Sequence, residues 1–172
     1  MNSTKRIAFG ALFASLISIG AKIMIPLDMI GMHFTLQWLV VLLAGLLLDR
    51  RTAVLSVSSY ILIGLCGVPV FATGGGIGYL LKPTFGFLLG FVIAVWVMTS
   101  MKAKPLTRCT AGLFADYITG FVWYLFMMYV VYQQPMGIVV AFLNCFTTIM
   151  PDFLLCIAAC MIESRVRPVI HY

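Results

Sequence analysis

The sequence predicts an all-α membrane protein, a single domain over residues 1–172 built from about six transmembrane helices with both termini in the cytoplasm. Three observations predict it: the composition, the spacing of the breaks between apolar runs, and the distribution of positive charge. Hydrophobic residues make up 63% of the chain and charged residues 9%. Soluble domains carry roughly 25% charged residues, so too little polar surface is left to dissolve a globule. A bilayer core of about 30 Å asks for about 20 apolar residues per helix, which leaves room for about six helices and little else.

The apolar spans fall at about 7 to 25, 34 to 48, 53 to 68, 84 to 101 and 109 to 132, with a last one ending near 163. The first is long and is followed by no small-residue cleavage pattern, so it is expected to stay as a helix. Pro26 to Met32 ends it, and Asp49-Arg50-Arg51 ends the second span. Pro69 to Pro83, Lys102 to Arg108 and Gln133-Gln134-Pro135 close the next three, each with turn chemistry, charge or both. Lys5, Arg6, Arg50, Arg51, Lys102, Lys104, Arg108, Arg165 and Arg167 sort to one side, and only Lys22 and Lys82 to the other. The first set marks the cytoplasm. The net charge of +6 is therefore a topology signal and does not point to nucleic acid. The outward connections are then 26–34, 69–83 and the turn after Tyr132.

Cys66, Cys109, Cys145, Cys156 and Cys160 show no metal or redox spacing and read as small buried hydrophobes. With only His33 and His171 as histidines, no catalytic or metal-ligating set can be assembled. Two carboxylates lie inside apolar spans, where a charge persists only with a reason. Asp116, about two turns past Arg108, is expected near the cytoplasmic face, within reach of water or a basic side chain, and reads as structural. Asp152 follows Pro151, a residue at home in the first turn of a helix, so the final span is expected to start near Pro151. That puts the Asp152 carboxylate at a helix N-terminus on the outer half of the membrane, where the dipole favours an anion. It either contacts a ligand or simply caps the helix. Residues 136–146 would form a short helix over the outer face.

The stretch GVPVFATGGGIGYLLKPTFGFLLGF, residues 67–91, is the most informative part of the chain. Gly74, Gly75, Gly76 and Gly78 let the main chain come close to a ligand and offer N–H donors; the alternative is close helix packing. Phe71, Tyr79 and Phe85 supply aromatic walls, and Lys82 a cation.

In order along the chain, these landmarks resemble the BioY family, the biotin-specific S-components of energy-coupling factor transporters. They are Ile25-Pro26 with Phe34-Thr35-Leu36-Gln37 and LVVLLAGLLLDRR; Tyr60, Gly64, GVPVF and the glycine cluster; Pro83-Thr84, Gly86, Gly90 and Phe91; Tyr117, Gly120 and Trp123; and Asp152, where the family has the Asp of a Pro-Gly-Asp-x-x-Lys motif. The resemblance implies an S-component-like bundle in a prokaryotic cell membrane that captures biotin near its outer surface. It would work with a membrane-embedded coupling protein and two ATPase subunits. No cofactor is expected, and the absence of a Walker A pattern agrees that ATP is used by the partners.

A biotin pocket needs an acceptor for the ureido N–H groups, apolar walls and a cation for the carboxylate. Asp152 can accept from the ureido ring, Gln37 and Thr35 can serve its carbonyl, and glycine N–H groups in the loop are further donors. Phe71, Tyr79, Tyr117 and Trp123 can wall the rings. The chain departs from the family at Leu155, where the family has Lys, and at Lys82, where it has Gly. If the cation has moved from the last helix to the loop, biotin remains the substrate; otherwise Lys82 snorkels to the interface. Phe85 and Phe87 replace the family's Gly and Tyr, and Met150-Pro151 its Pro-Gly.

On the first helix, Gly10, Ala14 and Ser18 form one small-residue face and Ala11 with Ser15 the next. The resemblance implies that such a face docks the coupling protein. Trp at position 14 is then expected to spare biotin binding and stop uptake. Dethiobiotin or another small cyclic carboxylic acid is the alternative ligand. A membrane enzyme lacks a convergent nucleophile or metal set, and a pore lacks rings of polar residues.

Overall fold

The computed structural model describes residues 3–27, 32–134 and 137–170. Along them run α1 (Ser3–Lys22), a hairpin of β1 (Met24–Leu27) and β2 (Met32–Thr35), α2 (Gln37–Leu47), α3 (Arg50–Leu65), a short 3-10 turn (Ile77–Leu81), α4 (Phe85–Ser100), α5 (Pro105–Phe126) with a π-helical extension (Met127–Val131), α6 (Ile138–Phe146) and α7 (Ile149–Ile170). The bundle is helical, with one addition that the apolar pattern does not announce. The hairpin pairs Met24 with Thr35 and Leu27 with Met32. Pro26 explains it: proline cannot donate to a helix and pushes the residue before it toward extended backbone. The first helix therefore ends at Lys22 and the second starts at Gln37, each about three residues inside the span read from the sequence.

Asp49 does not merely break the chain. Its carboxylate caps α3, accepting from Thr52 N–H at 3.4 Å and Thr52 Oγ1 at 2.8 Å, which starts that helix at Arg50 rather than near residue 53. Pro105 opens α5 at the position where its missing N–H costs nothing.

Among the described residues, three helical stretches are long and apolar enough to cross a membrane: Thr4–Lys22, Pro105–Val131 and Ile138–Pro168. At about 1.5 Å per residue, the 11 residues of α2 reach only about 16 Å, short of a full crossing. Apolar side chains such as Leu55, Phe114, Ile118, Leu143 and Leu154 lie exposed around the bundle, a surface suited to lipid.

Packing is closest between α4 and α5, where glycines remove the bulk that would separate them. A Cβ on Gly86 would strike Trp123, one on Gly90 would strike Asp116, and one on Gly120 would strike Phe87. At the far end of the bundle, Arg108 donates to the carbonyls of Met98 and Gly45, both at 2.7 Å. Arg167 donates to Leu46 O at 3.2 Å and pairs with Glu163 at 2.7 Å. Guanidinium groups there meet the negative ends of α2 and α4.

Two expectations are corrected here. Cys109, Cys145 and Cys156 are buried and Cys160 half-buried, but Cys66 is exposed, because it sits where α3 ends and the chain turns at Gly67. On α1, Ala14 is 7% exposed, and the Gly10 carbonyl accepts from Ser56 Oγ of α3 at 2.9 Å, so the Gly10/Ala14/Ser18 face packs inward. Of the two faces, the one with Ala11 and Ser15 is left on the outside.

Candidate functional site

A cavity of about 330 Å³ opens among the hairpin, α2, the 66–84 loop, α4, α5 and the start of α7. That volume is at the lower end of the range of about 300–1,000 Å³ usual for small-molecule sites. Thr35 ends the hairpin at its edge, while Gln37 and Trp38 enter from the first turn of α2. Phe87, Leu88 and Phe91 of α4 form an apolar wall. Asp116 and Tyr117 come from α5, and Thr148 and Asp152 from the last turn of chain before α7 and its beginning.

Asp152 lies in the first turn of α7, with its N–H bonded to Thr148 O at 3.0 Å. Tyr117 donates its hydroxyl to Asp152 Oδ2 at 2.6 Å and lies 2.9 Å from Thr148 Oγ1. The helix N-terminus and a charge-assisted hydrogen bond both favour the anion there. Tyr117 is itself fixed by ring contacts, with its centroid 5.2 Å from Phe146 and 5.7 Å from Phe87. The helix starts two residues before Pro151, so the acid stands slightly deeper in the first turn than the proline suggests.

The loop over the cavity owes its shape to a tight turn. Phe71 N–H reaches Gly74 O at 2.9 Å and Gly74 N–H returns to Phe71 O at 3.3 Å, with Ala72 and Thr73 at the tip. Gly74 (φ 123°) and Gly76 (φ 102°) take left-handed backbone that other residues rarely adopt. The Gly76 N–H is spent on Gly64 O at 2.7 Å. Phe71 is fully buried against Gly64, between Tyr60 and Tyr79, and its carbonyl accepts from Lys22 Nζ at 2.7 Å. Lys82 Nζ donates to Thr73 Oγ1 at 2.6 Å and rests 4.3 Å over the Tyr79 ring. Its carbonyl accepts from Trp123 Nε1 at 3.3 Å, and Tyr132 OH holds the neighbouring Leu81 carbonyl at 3.0 Å.

Of the residues singled out from the sequence, Thr35, Gln37, Tyr79, Lys82, Tyr117 and Asp152 meet at this cavity. Gly74, Gly75, Gly76 and Gly78 do not line it. They shape the turn behind its rim, and Gly75 leaves room for the Val68 carbonyl, which a Cβ would strike. Phe71 props the loop from below, and Trp123 packs on Phe85 and Gly86 while holding the backbone of Lys82. Neither ring walls the cavity.

Sequence reasoning missed Trp38, Thr73, Phe87, Phe91, Thr148 and above all Asp116. That acid is 3% exposed and faces the cavity, away from the basic end of α5 where the sequence put it. Three buried polar atoms on cavity-lining residues lack a hydrogen-bond partner: Gln37 Nε2, Trp38 Nε1 and Asp116 Oδ1. Tyr60 and Cys156 interact with Gln37 and Trp38 without meeting hydrogen-bond geometry for those nitrogens. Buried polar groups without partners are rare in folded proteins and call for an explanation, and a ligand is one.

Comparison with known proteins gives consistent results. The model of a family described as the BioY family matches residues 1–172. A probable biotin transporter BioY from Lysinibacillus sphaericus is 38% identical over 180 residues, covering 97% of this chain and 89% of its own. Another, from Pyrococcus horikoshii, is 37% identical over 122 residues, covering 69% and 74%. Among solved structures, the S-component for biotin from an ECF-type ABC transporter superposes with a TM-score of 0.75 over 98% of this chain and 95% of that one. At 21% identity this likeness speaks for the fold alone.

Proposed function

The chain belongs to the BioY family, and on that premise we propose that it captures biotin for uptake, as the S-component of an energy-coupling factor transporter. In this reading it sits in a prokaryotic cell membrane with about six spans and cytoplasmic termini, which the lysine and arginine distribution supports. A membrane-embedded coupling protein and two ATPase subunits supply the energy. The chain itself performs no chemistry on its ligand.

The observation that carries the reading is the cavity that gathers one ammonium, one hydrogen-bonded carboxylate, a second carboxyl group at Asp116 and the unpartnered nitrogens of Gln37 and Trp38, beside an apolar wall. Biotin matches that inventory. Asp152 accepts from the ureido N–H groups, with Tyr117 holding the carboxylate still. Gln37 and Trp38 have donors to spare for the ureido carbonyl. Phe87, Leu88 and Phe91 cover the thioether ring, and Lys82 meets the carboxylate at the end of the valerate chain. The family's lysine is replaced by Leu155, which is half-buried against the core, so Lys82 keeps the charge balance.

Calorimetry on the purified chain with biotin, dethiobiotin, lipoate and thiamine tests this. Biotin is expected to bind tightest and thiamine not at all. A chain that ignores biotin, or prefers lipoate, would refute the assignment.

A further inference from the structure

Asp116 has no role in the capture scheme above, yet its surroundings are those of a ligand-facing group. It is 3% exposed, lines the cavity, and leaves Oδ1 unpartnered. Gly90 on α4 makes the space for it, since a Cβ there would collide with that same oxygen. Asp152, a second acid, lines the same cavity.

The charges of the cavity decide which acid is ionised. Its titratable lining groups are Tyr79, Lys82, Asp116, Tyr117 and Asp152. Asp152 has a hydroxyl donor and a helix N-terminus, whereas Asp116 Oδ1 has neither donor nor cation. A bare buried carboxylate is strongly disfavoured and neutralises instead. Bound biotin would bring a second anion to a cavity that already holds Asp152 and has Lys82 as its cation. A third negative charge has nothing to balance it.

A neutral carboxyl carries an O–H and becomes a donor. Asp116 shares the lining of the cavity with Gln37 and Trp38, whose Nε2 and Nε1 also lack a hydrogen-bond partner, and a neutral Asp116 with one of them would fill the two lone pairs of a carbonyl oxygen. We propose that Asp116 is held as the neutral acid and donates a hydrogen bond to the ureido carbonyl of biotin, while Asp152 accepts from the ureido N–H groups. This rests on the biotin reading and divides one urea between two acids of opposite protonation.

The test is infrared difference spectroscopy of the full chain in bilayers with and without biotin, alongside calorimetry of Asp116→Asn, Asp116→Leu and Asp152→Asn. The parent should show the C=O stretch of a protonated carboxylic acid that moves when biotin binds, and Asp116→Asn should lack it. The Asn variant keeps a donor and should bind within about threefold of the parent. The Leu variant, like Asp152→Asn, should lose about tenfold or more, the scale of one buried hydrogen bond left unmade. The proposal is overturned if no such band moves, if the band survives in Asp116→Asn, or if Asp116→Leu binds like the parent. The infrared assignment needs only the parent and the Asn variant, so a Leu variant that fails to fold does not weaken it. A parent chain that shows no heat with biotin removes the capture reading itself, and the proposal with it.

Discussion

On the proposed reading, Lys82→Ala separates recognition of the biotin carboxylate from everything else the cavity does. In the structure the ammonium is half-exposed, 2.6 Å from Thr73 Oγ1 and 4.3 Å above the Tyr79 ring. A hydrogen bond to a charged group contributes about 1.5–3 kcal/mol. Two facts push Lys82 to the lower end: solvent screens it, and it must share or give up the Thr73 contact to meet a ligand. A loss of about 1.5 kcal/mol is a factor of about ten in Kd. Calorimetry in nanodiscs with biotin and with biotin methyl ester reads this directly. Biotin should weaken about tenfold in Lys82→Ala, whereas the ester, which has no charge to lose, should bind parent and variant alike. Adding Leu155→Lys to that variant should recover part of the loss, because position 155 lies one helical turn from Asp152 on the same face. Unchanged biotin affinity, or an equal loss for acid and ester, would refute the reasoning and leave Lys82 as a structural cation.

Two further outcomes follow from the fold. Ala11→Trp, on the exposed side of α1, should leave biotin binding intact and abolish uptake in cells. Ala14→Trp, 7% exposed, should instead lower the thermal midpoint by overpacking of about 1–3 kcal/mol; identical behaviour of the pair would sink the assignment of faces. Asp49→Ala should cost about 0.5–2 kcal/mol by removing the cap of α3, read as a lower midpoint in detergent. Burial pushes the Asp49 carboxyl up, but the Thr52 hydrogen bonds and the Arg6 guanidinium outweigh it and hold it below its ordinary value of 3.8. Its contribution is therefore complete above that pH and disappears as the pH falls through the lower folded value. A midpoint gap between parent and variant that persists at the most acid pH would contradict this.

How much was legible depended on whether a residue announces itself by chain position or by direction. Asp152 did so by position, because a proline beside an acid marks a helix start whatever surrounds it. Thr35, Gln37 and Lys82 stood at the ends of apolar runs, where loops and caps gather. Asp116 was misjudged because distance along α5 says nothing about which side of the helix meets α4, and Gly90 is what lets an acid sit there. The two small-residue faces of α1 are equivalent by spacing, and only packing on α3 tells them apart. Spacing leaves the glycine cluster open to ligand contact or to packing, and only the backbone shows that Gly74 and Gly76 serve left-handed turns and Gly75 the Val68 carbonyl. The hairpin escaped notice because its strands are only four residues each and are apolar like the helices beside them.

The bond from Lys22 to the Phe71 carbonyl ties the last turn of α1 to the roof of the cavity. Ser15 and Ala11 lie on the same rod, about two and three turns lower. A rigid helix cannot tilt at one end and stay still at the other. A protein leaning on the lower half of α1 would tug the tip at Ala72 and Thr73, so a push on the exposed side of that helix and the position of the loop over the cavity share a single mechanical handle.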